Sequence, residues 1–292
     1  MKASIYLVLA TLFWSGNLVV GQAAVNTMTP LELTFWRWAL AALPLVALAH
    51  FVERPDWRAV LGRWRVLLLL SVLGMGCYTL LLYIALQHTS ALNASLITAA
   101  NPALIVVMAI FILGERPGLF GWLGIALGLA GVLLVLTRGE LQRVFSITFN
   151  FGELLMIGAI TVWGFYTIIS RRLGLPAIAA TAVQVVMATA LLAPVALAAG
   201  AGFPSTAAER WSIAYIAAFP SLGAYLCWNL ALKTTAPATA GNYLNLIVVF
   251  TAAITVMMGI PVSLPQAIGG LLVIAGVLLA SRPRRSPAIR AA

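Results

Sequence analysis

The sequence predicts an all-α integral membrane protein whose ten transmembrane helices form two inverted five-helix repeats. First, 63% of the 292 residues are hydrophobic and only 8% are charged, which leaves too little polar surface for a soluble domain. Second, ten apolar runs approach the ~20 residues that a spanning helix needs. Third, the pentapeptide Ala-Gly-Val-Leu-Leu occurs at residues 130–134 and again at 275–279. A repeat at about half the chain length indicates two similar halves.

The ten predicted spans are apolar runs bounded by charged residues, Gly and Pro. They cover residues 4–25, 31–50, 66–87, 92–113, 118–137, 151–170, 177–199, 211–232, 238–259 and 264–281. The first run shares with secretory signals a preceding basic residue, Lys2, and small residues near its end. Its length and the further apolar runs predict an uncleaved first span instead.

The basic residues are distributed unequally between the two predicted faces of the membrane. If the amino terminus is inside, the cytoplasmic face holds thirteen of the 17 basic residues, namely Lys2, Arg54, Arg58, Arg63, Arg65, Arg116, Arg171, Arg172, Lys233, Arg282, Arg284, Arg285 and Arg290. The opposite face holds Arg138, Arg143 and Arg210. Because basic residues are retained in the cytoplasm, we predict a multi-pass protein of the bacterial inner (plasma) membrane with both termini cytoplasmic. The net charge of +10 is then explained by the basic residues that hold the cytoplasmic face in place, and no nucleic-acid partner is expected.

Five spans per half is an odd number, so the second half enters the membrane from the opposite side. We assign the first repeat to residues 1–141 and the second, with its basic cytoplasmic tail, to residues 142–292. The segment Trp-Ser-Gly-Asn at 14–17 in the first span corresponds to Trp-Gly-Phe-Tyr at 163–166 in the sixth. This pairing places similar aromatic elements in each half.

Six of the spans carry a narrow stripe of aromatic and amide side chains at helical spacing. Polar groups are costly in hydrocarbon, so such stripes indicate a wet central pocket in which a small solute could bind. The candidate substrate-binding residues are Trp14, Asn17, Tyr78, Tyr83, Asn101, Trp163, Tyr166, Tyr225, Trp228, Asn242 and Asn245. The alternative is that Asn and Tyr join helices and that Trp marks the bilayer interface.

One basic residue, Arg37, lies about two turns inside the second span. An ionised group within the membrane is a functional candidate, and we assign Arg37, Glu32 and Glu153 to a gating or ion-pair role. The alternative is a structural salt bridge from Arg37 to Glu32 or Glu153 near the outer mouth. No carboxylate is expected near mid-membrane. A facilitative carrier is therefore favoured over a proton-coupled one.

Proline and glycine mark the parts of the helices that could move or pack closely. The hinge candidates are Pro44, Pro102, Pro194 and Pro220, since each removes a backbone hydrogen bond inside a predicted helix. A static bend is the alternative for each. The fifth and tenth spans carry glycine faces with hardly any polar residues, which predict a scaffold or a dimer contact.

Several of these features together resemble the EamA-type repeat of the drug/metabolite transporter superfamily. They are the Trp-Gly-like element in spans one and six, Arg37, the Asn-Pro pair at 101–102, the Gly-Glu-Arg turn at 114–116 and the helix ending Ala-Gly-Val-Leu-Leu. Within that family the chain resembles amino-acid exporters of the YddG kind. The resemblance implies a central cavity lined by spans 1–4 and 6–9, with spans 5 and 10 outside it.

The expected function is export of small metabolites, most of all amino acids including aromatic and neutral ones, by alternating access. A proton-coupled exporter of drugs, nucleotides or other metabolites is the alternative. The sequence offers no catalytic set for a membrane enzyme, and a channel would need a continuous polar lining. No cofactor and no metal are expected. The expected partners are the solute and the lipid bilayer, with the protein a monomer or a homodimer.

Overall fold

The computed structural model describes residues 2–101, 104–105, 107–108, 111, 119–137, 139–140, 150–170, 173–232, 234 and 243–280. Within these ranges every regular element is helical. We number the helices α1 Lys2–Ala24, α2 Pro30–Glu53, α3 Trp57–Gly62, α4 Trp64–Leu86, α5 Ala91–Ala99, α6 Leu119–Leu136, α7 Phe151–Ser170, α8 Ala177–Ala198, α9 Ala207–Ala231, α10 Leu246–Met257 and α11 Leu264–Ala280.

Six of these helices (α1, α2, α4, α7, α8 and α9) are long and apolar enough to cross a membrane. Each has 20 to 25 residues and a mean hydropathy of 1.3 to 2.1, which suits a bilayer core about 30 Å thick. The shorter helices α6, α10 and α11 are also apolar. Parts of the predicted spans 92–113 and 238–259 lie outside the described residues, as do the proposed hinge Pro102 and the proposed binding residue Asn242.

The helix starts follow from local capping. Thr29 and Thr206 each accept a backbone N–H three residues on, and the glutamates at those positions, Glu32 and Glu209, bond back to close a capping box. The start of α8 is capped by another helix, because the carboxylate of Glu53 accepts the backbone N–H groups of Ile178 and Ala179 at 3.1 and 2.8 Å. A carboxylate is favourable at this positive end of a helix, so Glu53 fixes α2 against α8.

One helix was not predicted. Residues 51–65 were expected to form a loop, but Trp57–Gly62 is a short helix capped by the Asp56 side chain. The helix α9 also begins four residues before the predicted residue 211, because the capping box at Thr206 allows the helix to start earlier.

Three helices contain a stretch of wider π-helix. One ends α2 at Ala49–Glu53, and the others interrupt α4 at Ser71–Cys77 and α9 at Ala217–Gly223. The last two have equal length, and they begin at 71 and 217, positions 146 apart in the chain. Single-turn π-helices inside α-helices are frequently found at functional sites.

Each of the long helices packs against a helix from the other half of the chain. The pairs are α1 with α9 and with α10, α4 with α7, α5 with α7 and with α10, α2 with α8, and α6 with α11. The core therefore lies between the two halves.

Glycines bring α6 and α11 into backbone contact. A Cβ atom on Gly131 would lie 2.6 Å from the carbonyl oxygen of Gly269, and one on Gly276 would lie 2.6 Å from that of Gly124. The glycine faces were predicted to form a scaffold or a dimer contact. They pack on each other within one chain, which is the use that small residues have between membrane helices.

Large apolar side chains cover much of the outer surface, as expected of helices in lipid. Among the described residues, the most exposed are Leu43, Phe51, Phe111, Leu119, Trp211, Met257, Leu264 and Leu271. Pro44 and Pro194 lie inside α2 and α8, and Pro220 lies in the π-helical part of α9. Their role as hinges stays a prediction.

Candidate functional site

A buried arginine joins three helices in the interior of the bundle. The guanidinium of Arg37 donates from Nε to Ser221 Oγ at 3.1 Å, and from Nη1 to Tyr83 Oη at 2.7 Å and to Asn17 Oδ1 at 3.5 Å. The Tyr83 hydroxyl in turn donates to Asn17 Oδ1 at 3.0 Å. The central carbon of the guanidinium lies 4.4 Å from the centre of the Trp38 ring of α2. In the part of the chain that the structure describes, this cation contacts only neutral groups, which belong to α1, α2, α4 and α9.

The acidic residues that were expected near Arg37 make other contacts. The Glu32 carboxylate accepts from the Thr29 backbone N–H and hydroxyl at 2.8 and 2.9 Å, so it serves the start of α2. Glu153 accepts from Asn93 Nδ2 at 3.1 Å. A salt bridge from Arg37 to either glutamate was one interpretation of the sequence, but the hydrogen bonds of Arg37 among the described residues go to Ser221, Tyr83 and Asn17. The gating role of Arg37, Glu32 and Glu153 stays a prediction.

One aromatic cluster lies where α1 meets α9. The ring of Trp14 packs at 5.5 Å from the ring of Trp228 and at 6.0 Å from that of Tyr225, the second contact being edge-on. All three residues are half-buried. Aromatic pairs at these separations are stabilising in tilted and edge-to-face geometry.

A second aromatic cluster lies where α4 meets α7. The Trp163 ring stacks on Tyr166 and tilts against Tyr78, each at 4.8 Å between ring centres. The Tyr166 hydroxyl donates to Gln184 Oε1 of α8 at 3.1 Å. The ring fits beside α4 because Gly74 has no side chain, since a Cβ there would lie 2.6 Å from two ring carbons of Tyr166. The π-helical stretch of α4 thus positions this cluster.

The two aromatic clusters are close to each other and to the arginine. Tyr78 interacts electrostatically with Tyr225 and with Arg37, and Tyr166 interacts with Tyr225. The two clusters together hold three indoles and three phenols from both halves of the chain, and one phenol of each cluster, Tyr78 or Tyr225, lies within electrostatic range of the guanidinium. Such a site offers a cation, hydroxyl groups and aromatic faces to one small molecule.

Two buried amides lie apart from these contacts. Asn101 and Asn245 are 8% and 5% exposed. Asn101 Oδ1 and Asn245 Nδ2 are enclosed and have no hydrogen-bond partner among the described residues. A buried polar group without a partner is costly, so each is a candidate contact for a bound solute.

A cavity of about 910 Å³ opens at the end of the bundle where α1 ends. Its polar lining includes Gln22, Asn26, Gln87, His88, Asn93, Asn150, Ser263 and Gln266. Gln266 Nε2 donates to Asn93 Oδ1 at 2.6 Å, and Asn93 Nδ2 donates to Glu153. This chain of hydrogen bonds links α5 of the first half to α7 and α11 of the second.

A sequence model of the EamA-like transporter family matches residues 1–137 and 150–282. The chain belongs to the EamA-like transporter family. It is therefore a membrane transporter of the drug/metabolite transporter superfamily, as the residues of the opening analysis predicted.

Curated relatives of this EamA-like transporter match 80 to 97% of its length. The "Uncharacterized transporter YyaM" of Bacillus subtilis is 28% identical over 97% of this chain and 95% of its own. An "Uncharacterized transporter" of Archaeoglobus fulgidus is 29% identical over 95% and 96%. The "Uncharacterized inner membrane transporter YedA" of Escherichia coli is 26% identical over 80% of this chain and 74% of its own. A solved crystal structure shares the fold, with a TM-score of 0.66 over 95% of this chain at 22% identity.

Three residues with contacts at the candidate site or in the end cavity were missed by sequence reasoning. Gln184 is the partner of Tyr166, Trp38 lies against Arg37, and Gln266 bonds to Asn93. Gln184 is the one amide among the apolar residues of α8, and that isolation was a usable signal. Trp38 sits beside an intramembrane arginine, a neighbour that suits a stacked cation.

Proposed function

We propose that this transporter exports small metabolites, amino acids first, by alternating access through a site between its two halves. The observation that carries the proposal is the arrangement around Arg37. An arginine and two aromatic clusters, drawn from both halves, meet in the bundle interior. The proposed contacts are the candidate residues of the opening analysis, with Asn242 among them.

The same proposal includes ten transmembrane helices in two inverted five-helix repeats, residues 1–141 and 142–292. Two facts support it. The π-helical stretches of α4 and α9 lie at corresponding positions, 71 and 217. The contact between α1 and α9 has a counterpart between α7 and α4, while α2 with α8, α5 with α10 and α6 with α11 are pairs of corresponding helices. A pseudo-two-fold axis in the membrane plane would produce this pattern.

We further propose a bacterial inner (plasma) membrane location with both termini in the cytoplasm. The excess of basic residues on one predicted face supports this orientation. In that orientation the cavity of about 910 Å³ is an outer vestibule. A labelling experiment with single cysteines beyond α1 and beyond α3 tests it, because the two sites must react from opposite sides.

Flux of radiolabelled amino acids in proteoliposomes tests the carrier. We expect saturable uptake that Trp163→Ala and Tyr78→Ala reduce about tenfold or more, because each ring supplies stacking of roughly 0.5–1.5 kcal/mol besides its buried area. Trp211→Ala is the matched control, since that indole is 77% exposed. Flux that both Trp163→Ala and Tyr78→Ala leave unchanged would remove the aromatic clusters from the pathway.

The energy source is tested in the same vesicles with and without an imposed pH gradient. Equal rates are expected of a facilitative carrier. A strong dependence would favour the proton-coupled alternative.

A further inference from the structure

The charge of Arg37 has no counter-ion among the described residues. The side chain is 5% exposed, and its hydrogen bonds go to a tyrosine, an asparagine and a serine. Neutral partners satisfy donors but do not cancel the charge. A buried ion without an opposite charge is strongly destabilising, so an anion that entered this site would be bound favourably.

The guanidinium also has donors to spare. Its Nε and Nη1 atoms make the three bonds described above, whereas Nη2 donates to no residue that the structure describes. Nη2 is also not fully enclosed. The fully enclosed side-chain atoms that lack a partner among the described residues are Thr89 Oγ1, Asn101 Oδ1, Asn245 Nδ2 and Thr251 Oγ1. Two N–H groups are thus available, and the Trp38 ring holds the guanidinium in one orientation.

The groups around Arg37 also favour an anion with an apolar body. The phenols of Tyr78 and Tyr225 lie within electrostatic range of the guanidinium, and each belongs to one aromatic cluster. The carboxylates of Glu32, Glu53 and Glu153 all contact groups near helix ends. In the described part of the chain the site therefore has a cation for an anionic group, but no carboxylate for an ammonium group.

We infer that the central site recognises a carboxylate through Arg37 Nη2 and takes the apolar part of the same molecule between the two aromatic clusters. The inference rests on the proposed function, and it narrows the substrates to carboxylate-bearing solutes with an aromatic or branched apolar group. An amino group would be tolerated through hydroxyl and amide acceptors, but it would not be required.

Four probes of one shape test the inference on the purified wild-type protein: L-phenylalanine, L-phenylalaninamide, 3-phenylpropionate and phenethylamine. Affinity is measured from the quench of tryptophan fluorescence and from the shift in thermal unfolding. We expect L-phenylalanine and 3-phenylpropionate to bind. L-phenylalaninamide and phenethylamine should bind about ten- to a hundredfold more weakly, because each lacks the carboxylate and so loses one hydrogen-bonded charge pair. The inference is overturned if all four probes bind with equal affinity, if L-phenylalaninamide and phenethylamine bind more tightly than the two carboxylates, or if neither carboxylate binds.

Substitutions of Arg37 test whether the preference for carboxylates depends on this residue. Arg37→Gln should remove the preference for phenylalanine over its amide, and Arg37→Lys should keep part of it. The matched control is Arg63→Gln, because Arg63 is exposed. If Arg37→Gln does not fold, the comparison of four probes on the wild type still decides. If amino acids are transported but L-phenylalaninamide and phenethylamine bind tightly, only this inference fails. If the carboxylates bind but no flux is measured, only the proposed carrier function fails.

Discussion

Gly74→Ala is the substitution that most directly tests how the backbone of α4 shapes the site. The new Cβ would lie 2.6 Å from Cδ2 and Cε2 of Tyr166, whereas real Cβ contacts are about 3.5–4 Å. The ring must therefore move by about 1 Å, away from its stack on Trp163 and its 3.1 Å hydrogen bond to Gln184. Overpacking of this kind costs roughly 1–3 kcal/mol.

Gly76→Ala is the matched control. Both glycines lie in the same π-helical stretch, but a Cβ on Gly76 would meet only a carbonyl oxygen at 3.8 Å. Replacing glycine by alanine inside a helix also stabilises it by roughly 0.5–1 kcal/mol, and this gain cancels when the two variants are compared. At roughly 2–4 °C per kcal/mol, Gly74→Ala should melt about 2–12 °C below Gly76→Ala.

The assay is thermal unfolding in detergent, followed by tryptophan fluorescence, with amino-acid flux measured on the same preparations. Trp163 reports locally, since its stack on Tyr166 changes when the tyrosine moves. Equal melting temperatures and equal flux for the two variants would mean that Tyr166 is not held against the backbone of α4. The geometry given for the second aromatic cluster would then be wrong.

Three further sets of substitutions test the helix contacts. Gly131→Ala would place a methyl group 2.6 Å from a carbonyl oxygen of α11, so it should melt about 2–12 °C below Gly62→Ala, whose methyl would meet nothing within 4 Å. Glu53→Ala removes the carboxylate cap of α8 and should cost about 1–2 kcal/mol of unfolding free energy, with Glu53→Gln intermediate. Gln266→Ala and Asn93→Ala each remove the same hydrogen bond, so their unfolding free energies should couple by about 0.5–1.5 kcal/mol in a double-mutant cycle.

Each of these has a result that would contradict it. If Gly131→Ala melts with its control, α6 and α11 are not in backbone contact. If the two Glu53 variants melt like the wild type, the cap of α8 comes from another group. If the effects of the amide substitutions simply add, the hydrogen bond between α5 and α11 contributes nothing.

Hydropathy and residue spacing predicted the helices well wherever the ends of a helix depend only on its contact with lipid and on its caps. The helix α7 occupies residues 151–170 as predicted, since Asn150 precedes it and a basic pair follows. The helix α3 was missed because one short turn, capped by Asp56, leaves no periodic signal. The π-helical stretches could not be predicted, because they depend on which backbone groups the neighbouring helices require.

For the site, the residue types were easier to predict than their contacts. The free-energy cost of placing polar and charged side chains inside a membrane pointed to Arg37 and to the polar aromatic residues as candidates. The structure brings several of these residues together. The hydrogen bonds between Glu32 and Thr29 were not predicted, although Thr29 three residues before Glu32 is a visible capping-box signature. The partners of Arg37 come from helices distant in sequence, and no local pattern specifies which side chain such a guanidinium reaches.

The glycine contact between α6 and α11 has a mechanical consequence. Backbones that touch directly have no long side chains between them that could slide or re-pack, so the distance between these two helices is fixed. Under the proposed alternating access, α6 and α11 would therefore be the axis about which the two halves turn. A rotation about this axis would widen one end of the central site as it narrows the other, and opening both ends at once would require α6 and α11 to separate.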